Sequence, residues 1–157
     1  MATPGRVEQL TLTSDVLREN PLGDPYDRTL PVYLPPGYDG GDACRYPVIV
    51  MLTGYSGSGP QLLNVRAWDE SLPQQLDRLI GSGQMRPAIV VMPDCFTRYG
   101  GSQYLNSSAL GRYEDYLIDE IVPFVDAHYR TLTDRAHRGV IGKSSGGYGA
   151  LVQAMRH

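Results

Sequence analysis

The chain has 157 residues, 14 Lys+Arg against 17 Asp+Glu, and a net charge of −3 at pH 7. That length suits one domain of roughly 100–200 residues, and the mild acidity, with no run of like charge, argues against a nucleic-acid or anionic-membrane surface. No apolar stretch reaches the ~20 residues of a membrane span, and two cysteines, Cys44 and Cys95, with no CxxC spacing, exclude a Cys-rich zinc site or a disulfide framework.

The opening residues Met1 to Arg6 lack the apolar centre of a secretory leader, so the expected location is cytoplasmic. From Val7 to Thr13, Leu10 and Leu12 alternate with Thr11 and Thr13, which predicts a half-buried strand. Asn20 to Asp27 is Pro/Gly/Asp-rich and reads as a loop. Leu30 to Leu34 predicts a second strand, stopped by Pro35-Pro36-Gly37; Tyr38 to Cys44 reads as a turn. Paired antiparallel, these strands would form a sheet edge, where Pro31 is tolerable.

Two continuous apolar runs follow, Pro47 to Leu52 and Ala88 to Met92. Such strands are buried on both faces, as in parallel sheets covered by helices on both sides. Between them, Ser71 and Gln74 fit a capping box. Leu72, Leu76, Leu79 and Ile80 share a helical face, and Gly81 is the expected stop. A longer helix is predicted from about Arg112 to Tyr129, with Leu117, Ile121, Val125 and His128 near one stripe and a kink at Pro123. Gly139 to Gly142 is a third buried-strand candidate, and Gly147 onward opens a helix. The order β β β α β α β α predicts an α/β domain.

Gly142-Lys143-Ser144-Ser145-Gly146 matches G-x-S-x-G between a strand and a helix, the context this motif requires. A nucleophile at the tip of that turn holds a strained backbone, and its flanks pass close to neighbouring chain. Positions two before and two after must therefore be small. Gly142 and Gly146 satisfy this for Ser144, whereas Ser145 as nucleophile would place Lys143 in a crowded position. The N–H of Ser145, at the helix start, would form half of an oxyanion hole. The other half is assigned to the N–H of Tyr55, in Thr53 to Gly59, with Gly54 allowing close approach. Read blandly, that Gly/Ser stretch is only a turn.

Gly142-Lys143-Ser144 also ends a P-loop, but position 137, where that motif needs Gly, is His. Gly54, Gly57 and Gly59 do not spell a dinucleotide fingerprint. Glu114, Asp115, Asp119, Glu120 and Asp126 read as acids on a solvated helix face. His128 and His137 lack metal-ligand spacing, so neither a metal nor a cofactor is expected. Cys95, at a strand end, reads as a buried thiol; Tyr99, Tyr104 and Tyr113 read as pocket wall or core.

Several stretches carry a family likeness in the same order. They are Val32 to Tyr38, Ile89 to Asp94, Gly101 to Tyr104, Tyr113 to Tyr116, Tyr129 to Thr131 and Gly142 to Ala150. On these the chain resembles the esterase D branch of the α/β-hydrolases, which includes S-formylglutathione hydrolases, enterochelin-esterase-like proteins and mycolyltransferase antigens. The resemblance spans about residues 7 to 157. It implies a mostly parallel sheet with helices on both faces and antiparallel N-terminal strands. It also implies a nucleophile elbow at Ser144 and a small-molecule ester or thioester substrate. Two departures stand out: Ser145, where the family often has Met, and Thr53-Gly54, where it often has His-Gly.

The α/β-hydrolase triad runs Ser, then Asp or Glu, then His. After Ser144 there is no Asp or Glu, and the only His is His157. Asp126, His128, Asp134 and His137 precede the nucleophile. The expectation is that residues 1–157 are the N-terminal part of a single esterase domain, a fragment ending after the elbow. As such it would be weakly active or inactive and would self-associate through an exposed face. Acyl transfer, and a non-catalytic pseudo-hydrolase or interaction module, are the alternatives.

Overall fold

The computed structural model describes residues 4–40 and 43–157. Part of the expected turn over 38–44, and the first residues of the leader reading, lie outside the described residues. Five strands form one sheet: β1 (Arg6–Thr13), β2 (Asp27–Leu34), β3 (Val48–Leu52), β4 (Ile89–Val91) and β5 (Arg138–Gly142). Their order is β1-β2-β4-β3-β5. β1–β2 and β2–β4 pair antiparallel, while β4–β3 and β3–β5 pair parallel, so the sheet is mixed.

β1 alone takes that edge; β2 lies inside the sheet, correcting the edge position expected for Pro31. The missing proline N–H costs little there, because Pro31 sits where the short β2–β4 ladder ends. Its carbonyl still accepts from the Met92 N–H at 3.0 Å.

The period-2 alternation of the strands sorts side chains to two faces. Leu30, Val32, Leu34, Val48, Leu52, Ile89 and Val91 point to one side, packing with Tyr113, Tyr116, Leu117, Ile121, Val125 and Ala150. Tyr33, Val90 and Met92 point to the other, with Leu76 and Ile80. Helices thus cover both faces. α1 (Leu72–Gly81) lies on one. α2, a continuous helical run over 113–128, lies on the other beside α3 (Ser145–Arg156).

Three local expectations change. Gly81 closes α1 but stays helical; the left-handed residue is Gly83, at φ +73°. α2 absorbs Pro123 through a π-turn over Tyr116–Ile121, in which the Val122 N–H reaches the Leu117 carbonyl five residues back. The extra residue takes up the irregularity that a proline imposes on the i−4 ladder. His128 leaves the buried stripe: it is exposed, stacked on Phe124 at 3.9 Å. Between β4 and α2, two-residue ribbons form at Phe96–Thr97 with Gly100–Gly101 and at Asn106–Ser107 with Gly111–Arg112, where no regular element was expected.

Candidate active site

β3 and β5 run parallel, so the segments that follow them leave the same end of the sheet. After β5 the chain reverses at once into α3. Ser144 occupies that corner at φ +57°, ψ −119°, a conformation L-residues avoid. The steric expectation holds in detail. A Cβ on Gly142 would lie 2.4 Å from the Gly146 carbonyl, and one on Gly146 would lie 2.3 Å from the Leu52 carbonyl. No larger residue fits either place without moving backbone. Ser144 itself is exposed, while Ser145 and Gly146 are buried beneath it.

Ser145 is the first residue of α3, so its N–H belongs to the unsatisfied first turn. The loop after β3 comes alongside: a Cβ on Gly54 would stand 3.8 Å from both Ser144 Cβ and the Lys143 carbonyl. That is ordinary contact. The glycine therefore keeps open space against Ser144 and does not relieve a clash. Tyr55 follows, half exposed, its hydroxyl donating to the Tyr99 carbonyl. Its ring and backbone lie over Gly100 and Gly101, where a Cβ would come within 2.5 and 2.8 Å of it. The ribbon after β4 thus holds the loop carrying the second proposed donor.

A residue not singled out from the sequence joins this group. The Ser145 hydroxyl donates to Gln103 Oε1 at 2.8 Å. Gln103 and Tyr104 both adopt positive φ, 57° and 61°. Three contacts lock Tyr104. Its hydroxyl donates to the Thr53 carbonyl at 2.7 Å, its own carbonyl accepts from Gln153 Nε2 at 2.6 Å, and its ring fills the space left by Gly149. Burial pushes the Tyr104 hydroxyl up to about 12, so it stays a neutral donor. Composition gave no sign of this, because neither Gln nor Tyr favours the left-handed region.

The other candidates resolve into structural roles. Tyr104 and Tyr113 are core, and Tyr99 is exposed. Cys95 is buried, and that burial pushes its thiol well above the ordinary range, against reactivity. The helix acids are not simply solvated, as expected, but act as ties. Glu114 is buried, bonding Arg156 at 2.6 Å and His157 at 3.0 Å. Glu120 accepts from the Asp15 and Val16 N–H groups, and Asp126 from Thr131. Asp115 pairs with Arg112; only Asp119 is plainly exposed.

His128 closes α2 just before Thr131, which bridges to Tyr46 ahead of β3, at the end of the sheet away from Ser144. His157 lies at the far end of α3, roughly 18 Å along the helix at 1.5 Å per residue. His137 bonds Asp134 at 2.7 Å just before β5, at the opposite end of that strand from Ser144. Among the described residues, no group of three or more His, Cys, Asp or Glu is placed to hold a metal. No described helix is long and apolar enough to cross a membrane.

The chain is similar to known proteins over nearly its whole length. The family model described as "Putative esterase" matches residues 25–157. An endo-1,4-beta-xylanase/feruloyl esterase of Xylanibacter ruminicola is 30% identical over 162 residues, covering 97% of this chain and 20% of that protein. A ferulic acid esterase structure superposes with a TM-score of 0.77 at 29% identity, covering 98% of this chain and 54% of that one. An S-formylglutathione hydrolase from Agrobacterium tumefaciens, at 20% identity, shares the fold with a TM-score of 0.66 over 100% of this chain and 55% of its own. The chain therefore spans about half the length of these two solved structures. With the family model covering more than half of the chain and a ferulic acid esterase structure superposing over 98% of it, this chain belongs to the esterase family of the α/β-hydrolase superfamily.

Proposed function

We propose that the chain carries the nucleophile half of a serine carboxylic-ester hydrolase, with Ser144 as the nucleophile. The observation that carries this reading is the backbone of Ser144, φ +57° and ψ −119°, between two glycines that admit no side chain. Such strain persists where the surroundings over-determine it, and it clusters at active sites.

Ser144 Oγ attacks the ester carbonyl carbon, and a general base takes the hydroxyl proton. The N–H groups of Ser145 and Tyr55 hold the oxygen as it becomes negative. Collapse expels the alcohol, which takes the proton back, and leaves an acyl-enzyme; water then releases the acid. The base and its orienting carboxylate would come from outside residues 1–157, since the described histidines lie elsewhere. The relatives' names suggest a feruloyl-type aromatic ester, with a thioester as the other acyl class for the same chemistry.

The test is hydrolysis of methyl ferulate and p-nitrophenyl acetate by the protein expressed from its uninterrupted reading frame. Ser144→Ala should lower kcat/KM by about a thousandfold or more. An unchanged rate in Ser144→Ala would refute the assignment. The 157-residue chain alone should show little turnover. Saturable hydrolysis by it, lost in Ser144→Ala, would keep the nucleophile and overturn the need for outside residues.

A further inference from the structure

The two N–H groups proposed to hold the oxyanion come from different loops, so something touching both must set their separation. Among the described residues the Ser145 N–H has no acceptor. The Gly146 N–H, by contrast, goes to the Lys143 carbonyl at 2.9 Å, and the Tyr148 N–H to the Ser144 carbonyl at 3.0 Å. The other donor, Tyr55, follows Thr53 by two residues.

One short segment, residues 100–104, meets both loops. Gly101 packs so closely under Tyr55 that a Cβ on it would fall 2.8 Å from the Tyr55 carbonyl oxygen. Tyr104 donates to the Thr53 carbonyl at 2.7 Å. Between them, half-buried Gln103 accepts from the hydroxyl of buried Ser145 at 2.8 Å. Gln103 and Tyr104 are adjacent non-glycine residues at positive φ. Such a pair is a costly way to place an amide, and it persists where the surroundings over-determine it. Here they do: Gln153 holds the Tyr104 carbonyl, and the Tyr104 ring fills the space over Gly149.

A serine in the first turn of a helix can turn its oxygen toward nearby backbone groups and compete for them. Held toward Gln103, the Ser145 hydroxyl keeps one rotamer. The residue that carries the donor N–H is then anchored through its side chain as well as its backbone.

We propose that Gln103 is a positioning residue of the oxyanion hole: through its bond to the Ser145 hydroxyl it fixes the Ser145 N–H relative to the Tyr55 N–H. The inference rests on the ester-hydrolase reading of Ser144 and deepens it. Oxyanion donors act by being aimed in advance at the oxygen that becomes negative in the transition state. Loosening one therefore lowers kcat and leaves ground-state binding nearly alone.

The experiment is a double-mutant cycle on methyl ferulate hydrolysis by the protein expressed from its uninterrupted reading frame. Gln103→Met keeps the side chain's length and removes its acceptor. Ser145→Ala keeps the N–H and removes the hydroxyl. Each should lower kcat by about five- to tenfold, the worth of one hydrogen bond, with KM within about twofold. The double variant should lose no more than either single one. A purely structural bond would lower the urea midpoint of both variants and leave kcat per folded molecule unchanged, which would overturn the proposal. So would losses that multiply in the double variant, because Gln103 would then act elsewhere than on Ser145. If Gln103→Met does not fold, Ser145→Ala decides alone, since it breaks the same bond from the other side. Failure of the esterase reading is scored by Ser144→Ala. Hydrolysis retained there removes the nucleophile and this role with it. Hydrolysis lost there but intact in Gln103→Met and Ser145→Ala removes the role of Gln103 only.

Discussion

At the scale of single residues, Ser144 holds a backbone conformation worth roughly 1–3 kcal/mol of strain. Replacement by glycine removes that cost against an added chain entropy of about 0.5–1 kcal/mol. Ser144→Gly should therefore raise the thermal midpoint while abolishing ester hydrolysis. A lowered midpoint would mean that the corner is not strained. The neighbours behave oppositely. Gly146→Ala drives a methyl into the Leu52 carbonyl and should cost roughly 3 kcal/mol in denaturant unfolding. The tight turn at Ser144 was readable in the sequence because sterics leave so few residues that can flank it. Gln103 was not, because its position follows from backbone angles that its residue type disfavours.

At the scale of elements, the site depends on pieces joined by side chains. Tyr104 ties the end of β3 to α3, through the Thr53 carbonyl and Gln153. Tyr104→Phe should cost about 1 kcal/mol of stability and lower kcat more than it raises KM, because Thr53 leads into the Gly54–Tyr55 loop. α2 and α3 are joined through Glu114. Burial alone would raise its carboxyl, but bonds from His157 and Arg156 prevail and hold it below the ordinary 4.5. A lowered folded value stabilises above the unfolded value and is lost as pH falls through the folded one. Urea midpoints should therefore fall below about pH 4.5 less steeply in Glu114→Gln than in the parent. The apolar strands and α1 were legible from hydrophobic pattern and capping. The ribbons over 96–112 were not, because two-residue pairings leave no periodic signal.

At the scale of the whole molecule, β5 lies at the sheet edge with Ile141 46% exposed, and α3 shows Leu151 and Met155 at 62% and 70%. Beside them a groove of about 600 Å³ runs between α2 and α3, lined by Val50, Leu117, Ile118, Val122 and Val140. An edge strand with apolar neighbours invites pairing with another chain, and a charge on it discourages that. The 157-residue chain should associate with rising concentration in sedimentation velocity, and Ile141→Lys should reduce the association. Monomers at all concentrations would show that the face needs no cover. Length alone suits one domain, and the chain spans 54% and 55% of two solved structures that share its fold.

As the proposed nucleophile, Ser144 must be chemically activated in the folded enzyme. The direct measurement is fluorophosphonate labelling of the protein expressed from its uninterrupted gene, read by peptide mass spectrometry. The label is expected on Ser144 and absent from the Ser144→Ala variant. A label on another residue, or none on the folded protein, would contradict it.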